Sequence, residues 1–99
     1  MADDLKVTVY KINGSCPVYK NGDKFYLREG YKLSASEELC MHSLASIMPY
    51  YNSLSRGIIP EDLGLAGDEG KEGAAFVQCL DPCKITGGGT AVFKIEVNS

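Results

Sequence analysis

The sequence lacks the features that assign a chain to a membrane, to secretion or to a nucleic acid. No apolar run approaches the roughly 20 residues that a membrane-spanning helix needs. The first residues, Met1-Ala2-Asp3-Asp4, are not the basic start and apolar stretch of a signal peptide. Lys and Arg number 10 against 13 Asp and Glu, give a net charge of -3 and do not cluster along the sequence. We therefore expect a cytoplasmic protein that binds neither a membrane nor nucleic acid.

Side chains for acid–base catalysis are also scarce. His42 is the only histidine, and histidine is the residue type that most often transfers protons near neutral pH. Glu61 and Asp62 stand where acidic residues favour the start of a helix, and Asp81 precedes a proline as in a turn. No pair of carboxylates therefore indicates catalysis, and His42 is the one candidate proton donor.

The length and composition fit a single α+β domain over residues 1–99. A hydrophobic content of 44% is ordinary for a globular chain with a modest core. Apolar and polar residues alternate, or apolar residues run together, in four segments that we predict as strands. These segments are residues 5–12, 24–28, 74–80 and 90–97. Asn13-Gly14 is predicted as the turn after the first strand. We expect a small, mainly antiparallel sheet of about four strands.

One long helix is predicted to pack on this sheet. Apolar residues recur at steps of three and four, which indicates a helix with one buried face. They are Cys40, Leu44, Ile47, Met48, Tyr51 and Leu54. Ser34-Ala35-Ser36-Glu37 has the spacing of a capping box at its start, and Arg56-Gly57 suits its end. Pro49 lacks the N–H that would bond to Ala45, so the helix either kinks there or divides in two.

Two glycine-rich segments are predicted as loops. Residues 64–73 contain four glycines and several charges with little to bury, which predicts a mobile surface loop. Gly87-Gly88-Gly89 lies in a connection too long for a tight hairpin. Glycine lets the backbone approach another group closely, so this connection suits a ligand or a metal.

Four cysteines, Cys16, Cys40, Cys79 and Cys83, are the candidate functional residues. Each lies beside a turn signal or at an end of a predicted element, so folding can bring them to one place. Thiolates are soft ligands for zinc and iron–sulfur clusters, and a chain without a signal peptide keeps its thiols reduced. The C-x3-C spacing of Cys79 and Cys83 is less diagnostic than paired CxxC motifs. We predict a metal site formed by these four residues.

Other interpretations of the cysteines stay open. Cys40 shares the apolar stripe of the helix, where cysteine is often a small buried hydrophobe. The protein would then be a metal-free interaction or accessory module that contacts a partner protein through its glycine-rich loops. Cys79 and Cys83 would alternatively form a reversible disulfide. His42 is two positions from Cys40 on the helix, so the two side chains are expected to point to nearly opposite sides.

Several separated motifs resemble a family of small, uncharacterised prokaryotic proteins of about this length. The resemblance covers nearly the whole chain. It is carried by Ile12-Asn13-Gly14-Ser15-Cys16-Pro17, Leu39-Cys40-Met41-His42-Ser43-Leu44 with Pro49 and Arg56-Gly57, Val77-Gln78-Cys79-Leu80-Asp81-Pro82 with the following glycines, and Val92-Phe93-Lys94-Ile95. The family implies no established activity. Its pattern has cysteines at the positions of Cys16, Cys40 and Cys79 and a histidine at that of His42, but usually glycine at that of Cys83.

The resemblance thus favours a site with three cysteines over one with four. Three thiolates from a loop, a helix start and a strand end would hold zinc with an open fourth position, or an iron–sulfur cluster of the 4Fe-4S type with one iron left to another ligand. Cys83 or His42 would complete either. An open position allows a substrate to bind, as in an enzyme, whereas a fully ligated cluster suits a structural role or electron transfer with a partner protein or redox enzyme.

Overall fold

A computed structural model describes residues 2–68 and 73–98, and these form an α+β fold with one antiparallel sheet. The strands are β1 (Leu5–Gly14), β2 (Lys24–Arg28), β3 (Lys32–Ser34), β4 (Ala74–Gln78) and β5 (Gly89–Val97). The helices are α1 (Met41–Ser55), the four-residue α2 (Cys83–Thr86) and a 3₁₀ turn (Pro60–Leu63). The strand order is β3-β2-β1-β5-β4, so the strands nearest the two chain ends pair in the middle of the sheet.

The sheet has five strands in the described ranges, one more than the sequence indicated. The additional strand, β3, follows a tight reversal in which Glu29 and Gly30 both have positive φ, 58° and 83°. It pairs with β2 over only three residues, and Leu33 is 48% exposed. A strand this short, with its apolar residue exposed, carries no alternating pattern that a sequence could reveal.

The central strand β1 continues through the Asn13-Gly14 pair that was predicted as a turn. Asn13 pairs with Thr90, and Gly14 pairs with Gly89 at the start of β5. A register shift between Val9 and Lys11 marks a bulge in β1. The prediction of a turn was wrong because β5 pairs with β1 as far as Gly14. This pairing depends on residues distant in sequence, so the local sequence does not reveal it.

The helix α1 begins at Met41, with Cys40 at the N-cap, and not at the predicted capping box. Ser34, the first residue of that box, instead ends β3. Pro49 lies inside one continuous helix, so the segment does not divide. Because Pro49 and Ala45 are both exposed, the carbonyl left without its helical partner can bond to water. At 15 residues α1 is the longest described helix, and none in these ranges is long and apolar enough to cross a membrane.

Alternate side chains give the sheet two different faces. The core face is the one that α1 covers. It carries the buried side chains of Leu5, Val7, Val9, Phe25, Leu27, Ala75, Val77, Ala91, Phe93 and Ile95, to which α1 adds Ile47 and Leu54. The outer face carries the side chains of the intervening residues. Burial of one such large apolar side chain contributes about 1.5–3 kcal/mol, so this layer supplies most of the driving force for folding.

The beginning of the predicted loop over residues 64–73 is fixed to the sheet edge. Phe76 donates its N–H to the carbonyl of Leu65 at 2.8 Å, and Ala66 forms a bridge with Ala75. This pairing covers part of the free edge of β4, as edge strands require. Residues 69–72 of the expected loop lie outside the described residues.

Replacing Gly14 should destabilise the protein more than replacing Gly22. Both residues have positive φ, 80° and 91°, so alanine costs about 1 kcal/mol of strain at either position. A Cβ at Gly14 would also collide with the carbonyl oxygen of Gly88, whereas one at Gly22 would meet nothing within 4 Å. Urea unfolding followed by circular dichroism should show Gly14→Ala less stable than Gly22→Ala by roughly 2 kcal/mol. Equal losses would contradict this account of the β1–β5 junction.

Candidate metal centre

Three of the four predicted cysteines lie on the core face, at the end of the sheet where β1 ends and β5 begins. Cys79 follows β4 directly, is buried and donates its N–H to the carbonyl of Ala91 at 2.9 Å. Cys16 lies two residues beyond β1, and Cys40 is the N-cap of α1. Cys16 and Cys40 are partly buried and pack against the core cluster to which Cys79 belongs. The fold thus brings a loop, a helix start and a strand end into one region.

Gly89 is the point at which the segments of Cys16 and Cys79 meet. A Cβ at Gly89 would lie 2.6 Å from the backbone nitrogen of Cys16. The thiol of Cys79 donates to the carbonyl oxygen of Gly89 at 3.6 Å. A close approach therefore occurs at the triple glycine, but the group that approaches is the backbone of the Cys16 loop, where the sequence indicated a ligand or a metal.

Tyr19 connects Cys16 to Cys40. Its backbone N–H donates to the sulfur of Cys16 at 3.4 Å, and its hydroxyl oxygen accepts the backbone N–H of Cys40 at 3.0 Å. The ring is buried, with Phe93 edge-on at 5.5 Å between centroids and Phe25 stacked at 6.5 Å. Tyr19 therefore fixes the loop and the helix start relative to one another and to the sheet.

The hydroxyl groups around Cys40 form a closed ring of hydrogen bonds. Ser43 donates its hydroxyl to the carbonyl of Cys40 at 2.7 Å. Its oxygen is then free to accept the hydroxyl of Tyr19, also at 2.7 Å. Cys40 makes no side-chain capping bond of its own, so Tyr19 and Ser43 satisfy the polar groups at the start of α1 in its place. This arrangement leaves the thiol of Cys40 unused by the helix.

Two of the three sulfur atoms accept backbone N–H groups. Ala91 donates to Cys79 at 3.3 Å, and Tyr19 donates to Cys16 at 3.4 Å. The third sulfur, that of Cys40, stands at the positive end of the dipole of α1. Hydrogen bonds from backbone amides to sulfur are among the interactions that tune metal–thiolate centres.

Cys83 lies on the other side of the sheet. Its N–H donates to the hydroxyl of Thr90 at 3.4 Å, and Thr90 precedes Ala91, whose side chain is in the core. Successive side chains of a strand point to opposite faces, so Thr90 and Cys83 belong to the outer face. There Cys83 lines a cavity of about 870 Å³ together with Asn13 and Gln78. Strand β5 therefore separates Cys83 from the other three cysteines, including Cys79.

The remaining candidate ligand, His42, is exposed on α1, whereas Cys40 is partly buried. All four cysteines are free thiols. Within residues 2–68 and 73–98, no three His, Cys, Asp or Glu side chains stand close enough together to hold a metal ion as they are placed. The three thiols on the core face share one region of the fold, but their side chains would have to reorient to bind one metal.

Sequence reasoning missed two residues that build this region, Tyr19 and Ser43. Ser43 follows Cys40 by three positions, a spacing at which a serine hydroxyl can bond back to the helical carbonyl. Tyr19 lies between two turns, outside any periodic segment, so nothing in the local pattern marks it as buried. Gly89 was recognised as a site of close approach, but the group it approaches is the Cys16 loop and not the expected ligand or metal.

Comparisons with protein-family models, with curated proteins and with solved structures find no match to this chain. The functional interpretation below therefore depends on the arrangement of the chain's own residues.

Removal of the Tyr19 hydroxyl should destabilise the protein and loosen the start of α1. Tyr19→Phe leaves the N–H of Cys40 without its partner in a part-buried site. The expected loss is about 1–3 kcal/mol in the free energy of unfolding. Tyr31→Phe is the matched control, because Tyr31 is 73% exposed. Its change should stay within about 0.5 kcal/mol. Equal effects of the two substitutions in urea unfolding would contradict the role assigned to Tyr19.

Proposed function

We propose that this is a metal–thiolate protein in which Cys16, Cys40 and Cys79 hold zinc or an iron–sulfur cluster. The observation that carries the proposal is that the three segments bearing these cysteines converge on Tyr19 and Gly89. Their resemblance to the three shared cysteines of a family of small prokaryotic proteins supports the same set.

The three thiolates are suitable donor atoms for such a centre, but their side chains would have to move to bind one metal. Thiolates bind zinc at about 2.3 Å and are the usual ligands of iron–sulfur clusters. Cys16 lies in a loop and Cys40 before the first turn of a helix, so rotation of their side chains requires no change in the sheet. Cys79 would exchange its bond to the Gly89 carbonyl for the metal. Metal binding would then be coupled to local ordering of these segments.

The neighbouring residues would hold and shield the sulfur atoms. Backbone N–H groups of Tyr19 and Ala91 already point at two of them. The rings of Tyr19, Phe25 and Phe93 exclude water from the core side. A low-dielectric wall on one side and amide donors to sulfur are both features that tune the redox and Lewis-acid properties of bound metals.

The fourth position would stay open to a ligand from outside the set. Cys83 faces the outer cavity, and His42 is exposed on α1. Zinc bound by three thiolates supplies a Lewis-acidic site, and a cluster with one open iron supplies either electron transfer or an iron that binds substrate. This ligand set therefore accommodates an enzyme as well as an electron-transfer protein.

A metal-free accessory module is the second candidate. It is favoured by one observation, that the thiol of Cys79 is already satisfied inside the core by the carbonyl of Gly89 and the N–H of Ala91. On this interpretation the cysteines fill space, and replacement of Cys16 by serine would leave both folding and function nearly unchanged.

Metal content separates the two candidates. Anaerobically purified protein should contain stoichiometric zinc, or iron and sulfide with broad absorption near about 400 nm. Replacement of any of Cys16, Cys40 or Cys79 by serine should lower metal affinity at least about tenfold, because a thiolate ligand is lost. Elemental analysis and a visible spectrum of the same samples are the measurements.

Cys83→Ser is the matched control for these variants. It makes the same chemical change to a half-buried cysteine but on the opposite face of the sheet. It should retain the metal of the parent protein. If the parent protein holds no metal after anaerobic purification and reconstitution with zinc or with iron and sulfide, the metal–thiolate function is wrong. If Cys83→Ser loses metal as the others do, the three-cysteine set is wrong.

A further inference from the structure

The outer face of the sheet is basic, although the chain as a whole is acidic. The strand register places six cations on it, Lys6, Lys11, Lys24, Arg28, Lys32 and Lys94, and one anion within the strands, Glu96. The full sequence has 10 basic against 13 acidic residues. The side chains of Lys6, Lys94 and Arg28 are 32%, 34% and 41% exposed, so the cations are accessible to solvent.

The register of the strands assembles this basic surface from distant parts of the sequence. Thr8 pairs with Lys24 on one side and with Lys94 on the other, so the two lysines stand in one row across β2, β1 and β5. Strands lie about 4.8 Å apart, which places these two backbone positions roughly 10 Å from each other. Lys6 is two residues from Thr8 on the same face of β1. Three lysines thus surround a single threonine.

The acidic neighbours neutralise this surface only in part. Glu96 is shared by two lysines, with Lys6 at 3.5 Å and Lys94 at 3.9 Å. Asp4 pairs with Arg28 at 3.4 Å, and Glu29 pairs with Lys32 at 2.9 Å. Such exposed pairs are weak and exchange readily for other partners. Lys24 has no ion pair within the described part of the chain. A positive excess therefore remains available to a partner.

An apolar strip borders the lysines on the same face. Tyr10 is 46% exposed and contacts the edge of the Phe76 ring, with 5.2 Å between centroids. Val92 lies on β5, the strand between those of Tyr10 and Phe76, and is two residues before Lys94 on the same face. Aromatic side chains beside charged ones are typical of protein-binding surfaces.

We infer that the outer face is a docking surface for an acidic protein segment that carries an apolar anchor. Carboxylates of the segment would pair with Lys6, Lys24 and Lys94, and its apolar side chain would cover Tyr10 and Phe76. Charge complementarity identifies the occupant as acidic, and the adjoining apolar strip identifies it as a polypeptide. This docking does not depend on the proposed metal centre, which lies on the other face of the sheet.

Two observations favour a protein partner over a nucleic acid. Glu96 stands between Lys6 and Lys94, where the continuous phosphate backbone of a nucleic acid would meet it. The face of the Tyr26 ring, which a base would need for stacking, is covered by the guanidinium of Arg28 at 4.8 Å.

The test is fluorescence anisotropy of the purified full chain with a labelled peptide of alternating glutamate and leucine. Binding should be measurable at low ionic strength and should weaken as salt rises, since exposed charges are screened. Lys24→Glu with Lys94→Glu should weaken binding roughly tenfold or more, because two attractive contacts become repulsive. Tyr10→Ala should weaken it as well, with an unchanged dependence on salt.

The control makes the same charge change away from the outer face. Lys20 is exposed in the loop before β2, and Arg56 is exposed at the end of α1, the helix that covers the core face, so Lys20→Glu with Arg56→Glu should leave the affinity within about twofold. Circular dichroism and urea unfolding establish that each variant is folded. Equal weakening in the control pair would overturn the proposal. So would absence of binding to the parent protein, or tighter binding of a thymidine oligonucleotide of equal charge, which would assign the face to nucleic acid.

Discussion

The pairing of β1 with β5 is the constraint on which the rest of the structure depends. It holds residues near the two ends of the chain side by side, and it continues as far as Gly14 opposite Gly89. Backbone approaches so closely there that a side chain at Gly89 would meet the nitrogen of Cys16. Because β4 also pairs with β5, Cys79 is brought to the same glycine. Two thiols that are distant in sequence thereby reach one end of one strand.

Tyr19 extends this arrangement to the helix. Its ring packs between core aromatics, while its hydroxyl accepts the N–H of Cys40 and donates to Ser43. The start of α1 is thus capped by a residue 21 positions earlier in the chain and not by its own neighbours. Tyr19 thus joins the start of α1 to the loop that carries Cys16, through contacts that also stabilise the core.

Much of the fold could be predicted from the sequence, and much of the site could not. Alternating apolar and polar residues predicted the long strands, and apolar residues at steps of three and four predicted α1, because both patterns reflect burial of one face. The start of α1 was not predicted because its capping hydrogen bond comes from Tyr19, which is distant in sequence. The strand β3 was not predicted because three residues are too few to show a period. The cysteines were recognised as candidate ligands because thiolates bind metals. That Cys83 lies on the other face of the sheet follows only from its bond to Thr90 and from the alternation of side chains along β5. The lysines of the outer face look scattered until the register aligns them.

The central claim is that three thiols act together on the core face while the fourth stands apart. Native-state alkylation with iodoacetamide, resolved by mass spectrometry at each cysteine, tests it directly on anaerobically purified protein. Cys16 and Cys40 are only partly buried, so burial alone does not protect them from alkylation, whereas a bound metal would. The account predicts that a chelator makes both reactive together while the labelling of Cys83 stays constant. Unchanged labelling of Cys16 and Cys40, or a change at Cys83 alone, would contradict it.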